Sequence, residues 1–144
     1  MKRKIIFMSL LLVVLLAGAV LTGCDGPTLP GEYQGDPANI PTVGEGDITF
    51  RLEVTDPDGD VTAWYVRTNY DNVGDALLAV NLIAGDYFAG GMGLLVVSAN
   101  GIIADFNADG AWWGVYVDGE MSAVGVSGIT PEDGITVALV YSVG

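Results

Sequence analysis

The sequence predicts an α+β domain, and three observations support this prediction. Residues 48–54 alternate apolar and polar side chains with a period of two, which is typical of a half-buried strand. Residues 73–84 place apolar side chains on one face of a helix. Residues 94–106 contain two apolar runs separated by Asn100-Gly101, a dipeptide that favours a tight hairpin turn. We therefore expect an N-terminal hairpin, one helix and then a set of antiparallel strands.

The flanking residues support each element in turn. Asp56–Asp60 is rich in residues that favour turns, so residues 61–67 are expected to return as the second strand of the hairpin. Asn72 can cap the helix, Asp75 is favourable in its first turn, and Gly85 suits a left-handed end. Further strands are expected at residues 94–99, 102–106, 112–117, 121–126 and 135–140.

The first 23 residues are typical of an export signal. Lys2-Arg3-Lys4 give a positive start, and the next 19 residues, 5–23, carry no charge. A run of this length is long enough to remain as a membrane-spanning helix. Its end favours a different outcome, because Leu21-Thr22-Gly23-Cys24 resembles the lipobox of bacterial lipoproteins. We therefore expect residues 1–23 to be a lipoprotein signal peptide.

Cys24 is the sole cysteine of the chain. The lipobox resemblance implies that it becomes the first residue of the mature protein and carries fatty acyl chains such as palmitate. Two or three acyl chains hold a protein on a membrane far more firmly than one. We therefore expect a lipid-anchored protein on the extracytoplasmic face of the cell membrane. A single thiol used for attachment leaves no intrachain disulfide and no thiolate metal site.

The charge balance excludes several functions. After residue 23 the chain has two cations, Arg51 and Arg67, against eighteen anions, a net charge of −16. Such a surface repels phosphate backbones and offers no basic patch for anionic lipids, so nucleic acid is excluded as a partner. The chain has no histidine, which excludes imidazole bases and Ser-His or Cys-His nucleophiles. We expect a protein that is not an enzyme and that holds no cofactor.

Residues 24–46 are expected to form a tether between the anchor and the domain. After Cys24 this segment has four prolines, five glycines and no apolar periodicity. Such a composition buries too little apolar surface to offset the entropy of the chain. The predicted organisation is therefore a signal peptide (1–23), the lipidated cysteine with its proline- and glycine-rich tether (24–46), and one domain (47–144).

The order of landmarks in this domain resembles a known family. They are Val73-Gly74-Asp75-Ala76-Leu77 at the helix start, the Asn100-Gly101 turn, Trp112–Glu120 with its aromatic strand and Asp-Gly turn, and Glu132–Ile135 before the last strand. Together they resemble the transcobalamin-like C-terminal domain, a β-grasp-type module. That module occurs in bacterial lipoproteins and as one lobe of the cobalamin carriers transcobalamin and intrinsic factor.

The resemblance implies a fold and a class of ligand, and this sequence departs from the family pattern at one position. It implies a β-grasp-like fold and a small-molecule ligand, with a corrinoid or a related compound as the first candidate. The family usually has Asp where this chain has Ile135. The helical lobe that completes the carriers' cobalamin site has no counterpart here, so the resemblance indicates a fold more strongly than a ligand.

The acidic turn has part of the pattern of a calcium-binding loop. Asp56–Asp60 brings three carboxylates together. An EF-hand loop needs Gly at its sixth position and Glu at its twelfth, where this chain has Val61 and Arg67. We interpret the segment as an acidic hairpin turn, with a weak calcium site as the alternative. Residues 105–110 are interpreted as a second turn, and no metal ligand is assigned.

Two neighbouring tryptophans indicate a ligand surface. Neighbours in a strand point to opposite faces, and Trp113 is expected in the core because it shares a side with Val115 and Val117. Trp112 and Tyr116 then share the other side, where aromatic rings provide a flat platform. The alternative is that a covering loop buries both tryptophans.

The loop after the helix is the second part of the predicted surface. Residues 87–93 are apolar and glycine-rich, which suits a mobile lid over a ligand, or alternatively a flexible connection only. The complete set of predicted ligand-binding residues is Trp112, Tyr116, Tyr87, Phe88 and Met92.

Two functions follow from these expectations. The first is a membrane-anchored extracytoplasmic lipoprotein with a non-catalytic domain that binds a small ligand. The alternative is a cell-surface module that contacts an envelope protein, for example by strand addition near Asp118-Gly119. A concave cluster of Trp112, Tyr116 and Phe88 favours the ligand, whereas burial of these rings beside an open edge favours the protein partner.

Overall fold

The structure, a computed structural model, describes residues 29–144. The predicted signal peptide and the predicted lipidation site, Cys24, lie outside the described residues. The strands are β1 (Thr42–Gly44), β2 (Ile48–Thr55), β3 (Val61–Thr68), β4 (Ile83–Tyr87), β5 (Leu94–Ala99), β6 (Ile102–Ile103), β7 (Ala111–Val117), β8 (Glu120–Met121) and β9 (Thr136–Val143). The helices are α1 (Val73–Ala79) and α2 (Phe106–Asp109), and short 3-10 turns lie at Pro37–Asn39 and Val126–Gly128. The described part is therefore α+β and mostly strand, as predicted.

The strands form a large mixed sheet and a small antiparallel one. The large sheet has six strands in the order β1-β3-β2-β9-β7-β8, and the small sheet has the order β4-β5-β6. The predicted N-terminal hairpin is confirmed, because β2 and β3 pair antiparallel along their full length. The last strand, β9, lies between β2 and β7, parallel to β2 and antiparallel to β7.

The hydrophobic core lies on one face of the large sheet, where α1 and the small sheet cover it. Alternate residues of β2 and β9 supply the sheet side, and Leu77 of α1 is fully buried against them. The largest fully buried side chains include Phe50, Leu52, Leu77 and Leu139. Burial of such side chains is worth roughly 2 kcal/mol each. A slip of one residue would move them to the other face of the sheet, so their burial fixes the register of the strands.

The helix begins as predicted but ends earlier. The side chain of Asn72 accepts a hydrogen bond from the backbone N–H of Asp75 at 2.8 Å, which confirms the N-cap. The helix stops at Ala79 rather than residue 84, because Asn81 takes a left-handed φ of 57°. The N–H of Asn81 then donates to Leu78 and that of Leu82 to Leu77, both at 3.1 Å. This is the Schellman arrangement, with asparagine in place of the usual glycine.

Gly85 therefore has a different role from the predicted helix end. It lies in β4, at the point where the register with β5 shifts by one residue. A Cβ at Gly85 would overlap the carbonyl of Leu95 on the neighbouring strand. The glycine is thus required by a close backbone approach, and the prediction that it ends the helix is wrong.

Two of the predicted strands are shorter in the structure. β6 contains only residues 102–103, because the side chain of Asp105 accepts hydrogen bonds from the next backbone N–H groups and starts α2. The expected strand over residues 121–126 is reduced to the two-residue β8. A second short helix was not predicted, because four residues are too few to show helical periodicity.

The segment expected to be a tether contacts the domain over much of its length. Residues 42–44 form β1, an edge strand parallel to β3, so the sheet begins before the predicted domain start at residue 47. Further upstream, the backbone N–H of Gly31 donates to Thr55 Oγ1 at 3.2 Å, and that of Tyr65 donates to the carbonyl of Pro41 at 2.9 Å. Within residues 29–144, no helix has the length and apolar character needed to cross a membrane.

Candidate functional site

The two tryptophans of β7 have opposite environments. Trp113 is 6% exposed and packs edge-on against Tyr141, with ring centroids 5.6 Å apart. Trp112 is 37% exposed on the other side of the strand. The alternation therefore places one indole in the core and the other at the surface, as predicted, and the alternative in which both are buried is wrong.

Trp112 forms part of an apolar groove, which we call the Trp112 groove. It has a volume of about 300 Å³ and lies between β5, the β6–α2 connection and the start of β7. Its large exposed apolar side chains are Leu95, Val97, Ile103, Phe106 and Trp112. Solvent-exposed apolar side chains gathered in one concavity are typical of a binding surface.

The polar side chains that line the groove are those of Asp105 and Asn107. The carboxylate of Asp105 accepts hydrogen bonds from the backbone N–H groups of Asn107 and Ala108, at 2.9 and 3.0 Å. Both bonds use the same oxygen, Oδ1. The groove therefore combines aromatic and aliphatic walls with a carboxylate, and no Lys or Arg lines it.

Tyr116 shares the side of β7 that Trp112 occupies but is not exposed. Only 2% of its surface is accessible, and it forms a second buried cluster with Ala138 and Val140. Its ring lies over Gly114, where an added Cβ would come within 3.3 Å of Cε2. Tyr116 is therefore a packing residue in this structure, and it does not line the Trp112 groove.

The other predicted residues lie away from this groove. Tyr87, Phe88 and Met92 are all exposed, but none of them lines it. Met92 instead borders a separate depression beside residues 123–128. The structure thus does not bring the two parts of the predicted ligand surface together.

Tyr87 takes part in a local hydrogen-bond cluster. Its phenol donates to Asp75 Oδ1 at 2.5 Å, and the side-chain amide of Asn72 donates to Asp75 Oδ2 at 2.9 Å. The hydrogen bond to Asp75 raises the pKa of Tyr87, because it stabilises the neutral phenol. Desolvation and the negative charge of Asp75 raise this pKa further, and the hydrogen bond with Asn72 opposes them.

The groove residues of β5, Leu95 and Val97, were not among the predicted ligand-binding residues, although the sequence contains a signal for them. Leu94–Val97 is an unbroken apolar run, a pattern typical of strands covered on both faces. In the structure Leu94 is buried, whereas Leu95 is 47% exposed. An apolar strand with one uncovered face indicates a surface available to a ligand, but the run itself does not reveal which face is uncovered.

The acidic turn is organised by its own backbone. Asp56 Oδ1 accepts hydrogen bonds from the N–H groups of Asp58 and Asp60, at 2.8 and 3.0 Å. Across residues 29–144 no group of three His, Cys, Asp or Glu side chains is placed to hold a metal ion. The turn borders a second groove of about 410 Å³, which Leu29, Tyr141 and Val143 also line.

The two cations of the domain are already engaged. Arg51 forms a 2.7 Å ion pair with Glu53 and lies 5.3 Å from the ring centroid of Tyr33. Arg67 donates to the carbonyl of Gly46 at 2.8 Å. Neither arginine lines either of the two grooves described above.

Comparison with known proteins shows a shared fold. No family model and no curated protein matches the sequence. The crystal structure of a candidate metal-binding protein from Ruminococcus gnavus is similar, with a TM-score of 0.62 and 21% sequence identity over 68% of this chain and 99% of that one. Haptocorrin in complex with Cbi gives a TM-score of 0.47 and 17% identity, over 66% of this chain and 25% of haptocorrin. The likeness to the Ruminococcus gnavus protein, at 21% identity, concerns the fold alone.

Proposed function

We propose that this chain is an extracytoplasmic lipoprotein, anchored to the cell membrane through Cys24, whose domain binds a small ligand without catalysis. We assign the domain to the transcobalamin-like, β-grasp-type modules. The ligand site is the Trp112 groove, so Trp112 is the one member of the predicted ligand set that keeps that role. Tyr116, Tyr87, Phe88 and Met92 are assigned to packing or to other parts of the surface.

The observation that carries this proposal is the gathering of five large apolar side chains around one concavity. The mature domain is strongly acidic, and its other grooves have fewer apolar walls. An indole, a phenyl ring and aliphatic side chains offer a large contact area with few rotatable bonds. Such walls fit a flat, partly apolar compound, and the open form of the groove predicts an affinity near micromolar, about −8 kcal/mol.

A corrinoid is the first ligand to test, because the sequence resembles the transcobalamin-like family. We expect cobinamide to change the tryptophan emission of the protein, after correction for corrinoid absorbance, and calorimetry to give the same affinity. Trp112→Ala is expected to weaken binding by at least about tenfold. Phe88→Ala is the matched control, because Phe88 is an exposed aromatic outside the groove.

The outcomes separate the parts of the proposal. Equal losses in the two variants would contradict the assignment of the site to the Trp112 groove. No binding at hundreds of micromolar would reject a corrinoid, and a screen of other flat compounds on the same two variants would then test the groove itself.

The anchor is tested independently of the ligand. The residues that carry this part are Leu21-Thr22-Gly23-Cys24 at the end of the apolar run. Cys24→Ser is expected to leave a longer, unprocessed precursor and to abolish labelling by a fatty-acid precursor. A variant that still matures and still labels would contradict the lipoprotein assignment.

A second function, contact with an envelope protein, is favoured by the edge of the large sheet. β8 pairs only with the last two residues of β7, so most of β7 has no strand partner on that side among the described residues. An extended segment of a partner can add a strand at such an edge. A photo-crosslinker at Met121 is expected to capture a partner in cells if this function operates, and one at Tyr70 serves as the control.

A further inference from the structure

Leu29 and Gly31 lie at one particular end of the large sheet. At this end β2 finishes at Thr55, β9 finishes at Val143 and β7 starts at Ala111, directly opposite Val143. Leu29 lies there, in the groove that it shares with Val143 and the acidic turn. The hydrogen bond from Gly31 to Thr55 holds the following chain at the same place.

The same end gathers exposed apolar side chains. We call them the apolar rim, and its members with their exposed fractions are Leu29 (73%), Phe106 (69%), Ile103 (66%), Val143 (57%) and Trp112 (37%). Gly144, which follows Val143, lies near Trp112, because a Cβ added at Gly144 would come within 3.2 Å of the indole. Leu29 and Val143 line one groove, and Ile103 and Phe106 line the other with Trp112. Val143 and Trp112 lie on the paired strands β9 and β7, which are spaced by about 4.8 Å.

The length of the chain between Cys24 and Leu29 limits which end of the domain can face the membrane. Cys24 is five residues before Leu29, and five extended residues span at most about 17 Å. The eight residues of β2 separate the two ends of the sheet by about 24 Å. An anchor at Cys24 therefore reaches the membrane from the rim end but not from the opposite end.

We propose that the apolar rim rests on the lipid bilayer, with Trp112 and Phe106 at the lipid–water interface. This inference rests on the proposed lipid anchor and adds a second, protein-mediated contact with the membrane. Aromatic side chains favour that interface because one part of the ring system is apolar and the other tolerates water. The Trp112 groove then opens at the membrane surface, where partly apolar ligands concentrate.

The charges at this end select the kind of lipid. Asp56 and Asp58 lie in the acidic turn beside the rim, and Asp105 and Asp109 are the N-cap and the last residue of α2. Both described arginines have partners elsewhere. Carboxylates are repelled by anionic headgroups at low ionic strength. The rim is therefore suited to a zwitterionic surface.

The test uses the lipidated protein, extracted from membranes and reconstituted into phosphatidylcholine vesicles with and without brominated acyl chains. Bromine quenches only tryptophans that contact the lipid. We expect the brominated vesicles to reduce the emission of the wild-type protein, and this loss to disappear in Trp112→Phe. Adding Phe106→Trp to that variant is expected to restore the loss. Adding Tyr70→Trp, at the opposite end, is expected to leave the emission unquenched.

Each result has a separate meaning. Mass spectrometry of the N-terminal peptide determines first whether Cys24 carries lipid, and an unmodified Cys24 would overturn the anchor and the rim contact together. A lipidated protein in which neither Trp112 nor a tryptophan at position 106 is quenched would overturn the rim contact alone. Quenching from position 70 as strong as from position 106 would also overturn it, because the domain would then have no preferred orientation.

Discussion

The backbone N–H of Gly31 donates a 3.2 Å hydrogen bond to Oγ1 of Thr55, 24 residues further along the chain. Thr55 is only 3% exposed, so this bond is shielded from water on the threonine side. It fixes a proline-rich segment to the end of β2. A Cβ at Gly31 would come within 2.6 Å of Val61 Cγ2, so the segment lies in close contact with the hairpin.

Thr55→Val is expected to release this segment. The substitution keeps the shape of the side chain but removes the acceptor, which should lower the free energy of unfolding by about 1 kcal/mol. Limited proteolysis within residues 31–41 should become faster, and denaturant unfolding measures the loss. Thr62→Val, at an exposed position of β3, is the control. Unchanged proteolysis in Thr55→Val would contradict a structural role for the contact.

The two tryptophans of β7 are expected to respond differently to truncation. Trp113→Ala opens a cavity in the core and should lower the free energy of unfolding by about 3–5 kcal/mol. Trp112→Ala removes a side chain at the surface and should cost less than about 1 kcal/mol. Guanidinium denaturation of both variants provides the comparison. Similar losses would mean that Trp112 is part of the packed core and is not available to a ligand.

The contact between Tyr87 and Asp75 is expected to make stability depend on pH in alkaline solution. The pKa of Tyr87 is raised above its ordinary value of 10.0 in the folded protein, mainly by the hydrogen bond to Asp75. The folded state therefore binds this proton more tightly than the unfolded state does. The resulting stabilisation is complete below pH 10 and is lost as pH rises through the raised pKa.

Urea unfolding of wild-type protein and of Tyr87→Phe across this alkaline range measures the effect. The wild-type protein should lose stability more steeply than the variant, because the variant has no phenol to ionise. Tyr70→Phe removes an exposed tyrosine and serves as the control, with an expected wild-type slope. Parallel curves for wild type and Tyr87→Phe would contradict the proposed linkage.

The acidic turn is expected to depend on Asp56 rather than on calcium. Asp56→Ala removes both hydrogen bonds to the turn backbone and should cost about 1–2 kcal/mol. Asp56→Asn keeps an acceptor oxygen and should retain most of the stability.

Salt provides the baseline for the calcium test. Sodium chloride should raise the melting temperature by screening the net charge of −16, and calcium at equal ionic strength should add little. A large rise specific to calcium, absent in Asp56→Ala, would show that the turn is a metal site.

Several local features could be predicted from the sequence because neighbouring residues determine them. Period-two alternation located β2, and the choice of Asn72 as the cap was correct since a cap needs only the backbone within three residues. The Asn100-Gly101 turn has positive φ values at both residues, as its sequence indicates. The core position of Trp113 followed from strand alternation together with the valines at 115 and 117 on the same side.

The tertiary structure alone decided which surfaces remain open. β9 pairs with β2 across more than eighty intervening residues, and β1 joins the sheet although its three residues have no recognisable strand pattern. Pairing of this kind depends on where distant strands come to lie. Strand alternation correctly put Trp112 and Tyr116 on the same side of β7. It did not determine their exposure: Tyr116 is buried, whereas Trp112 is exposed in the groove that Phe106 also lines. Exposure depends on which segments cover a face, and those segments are distant in the chain.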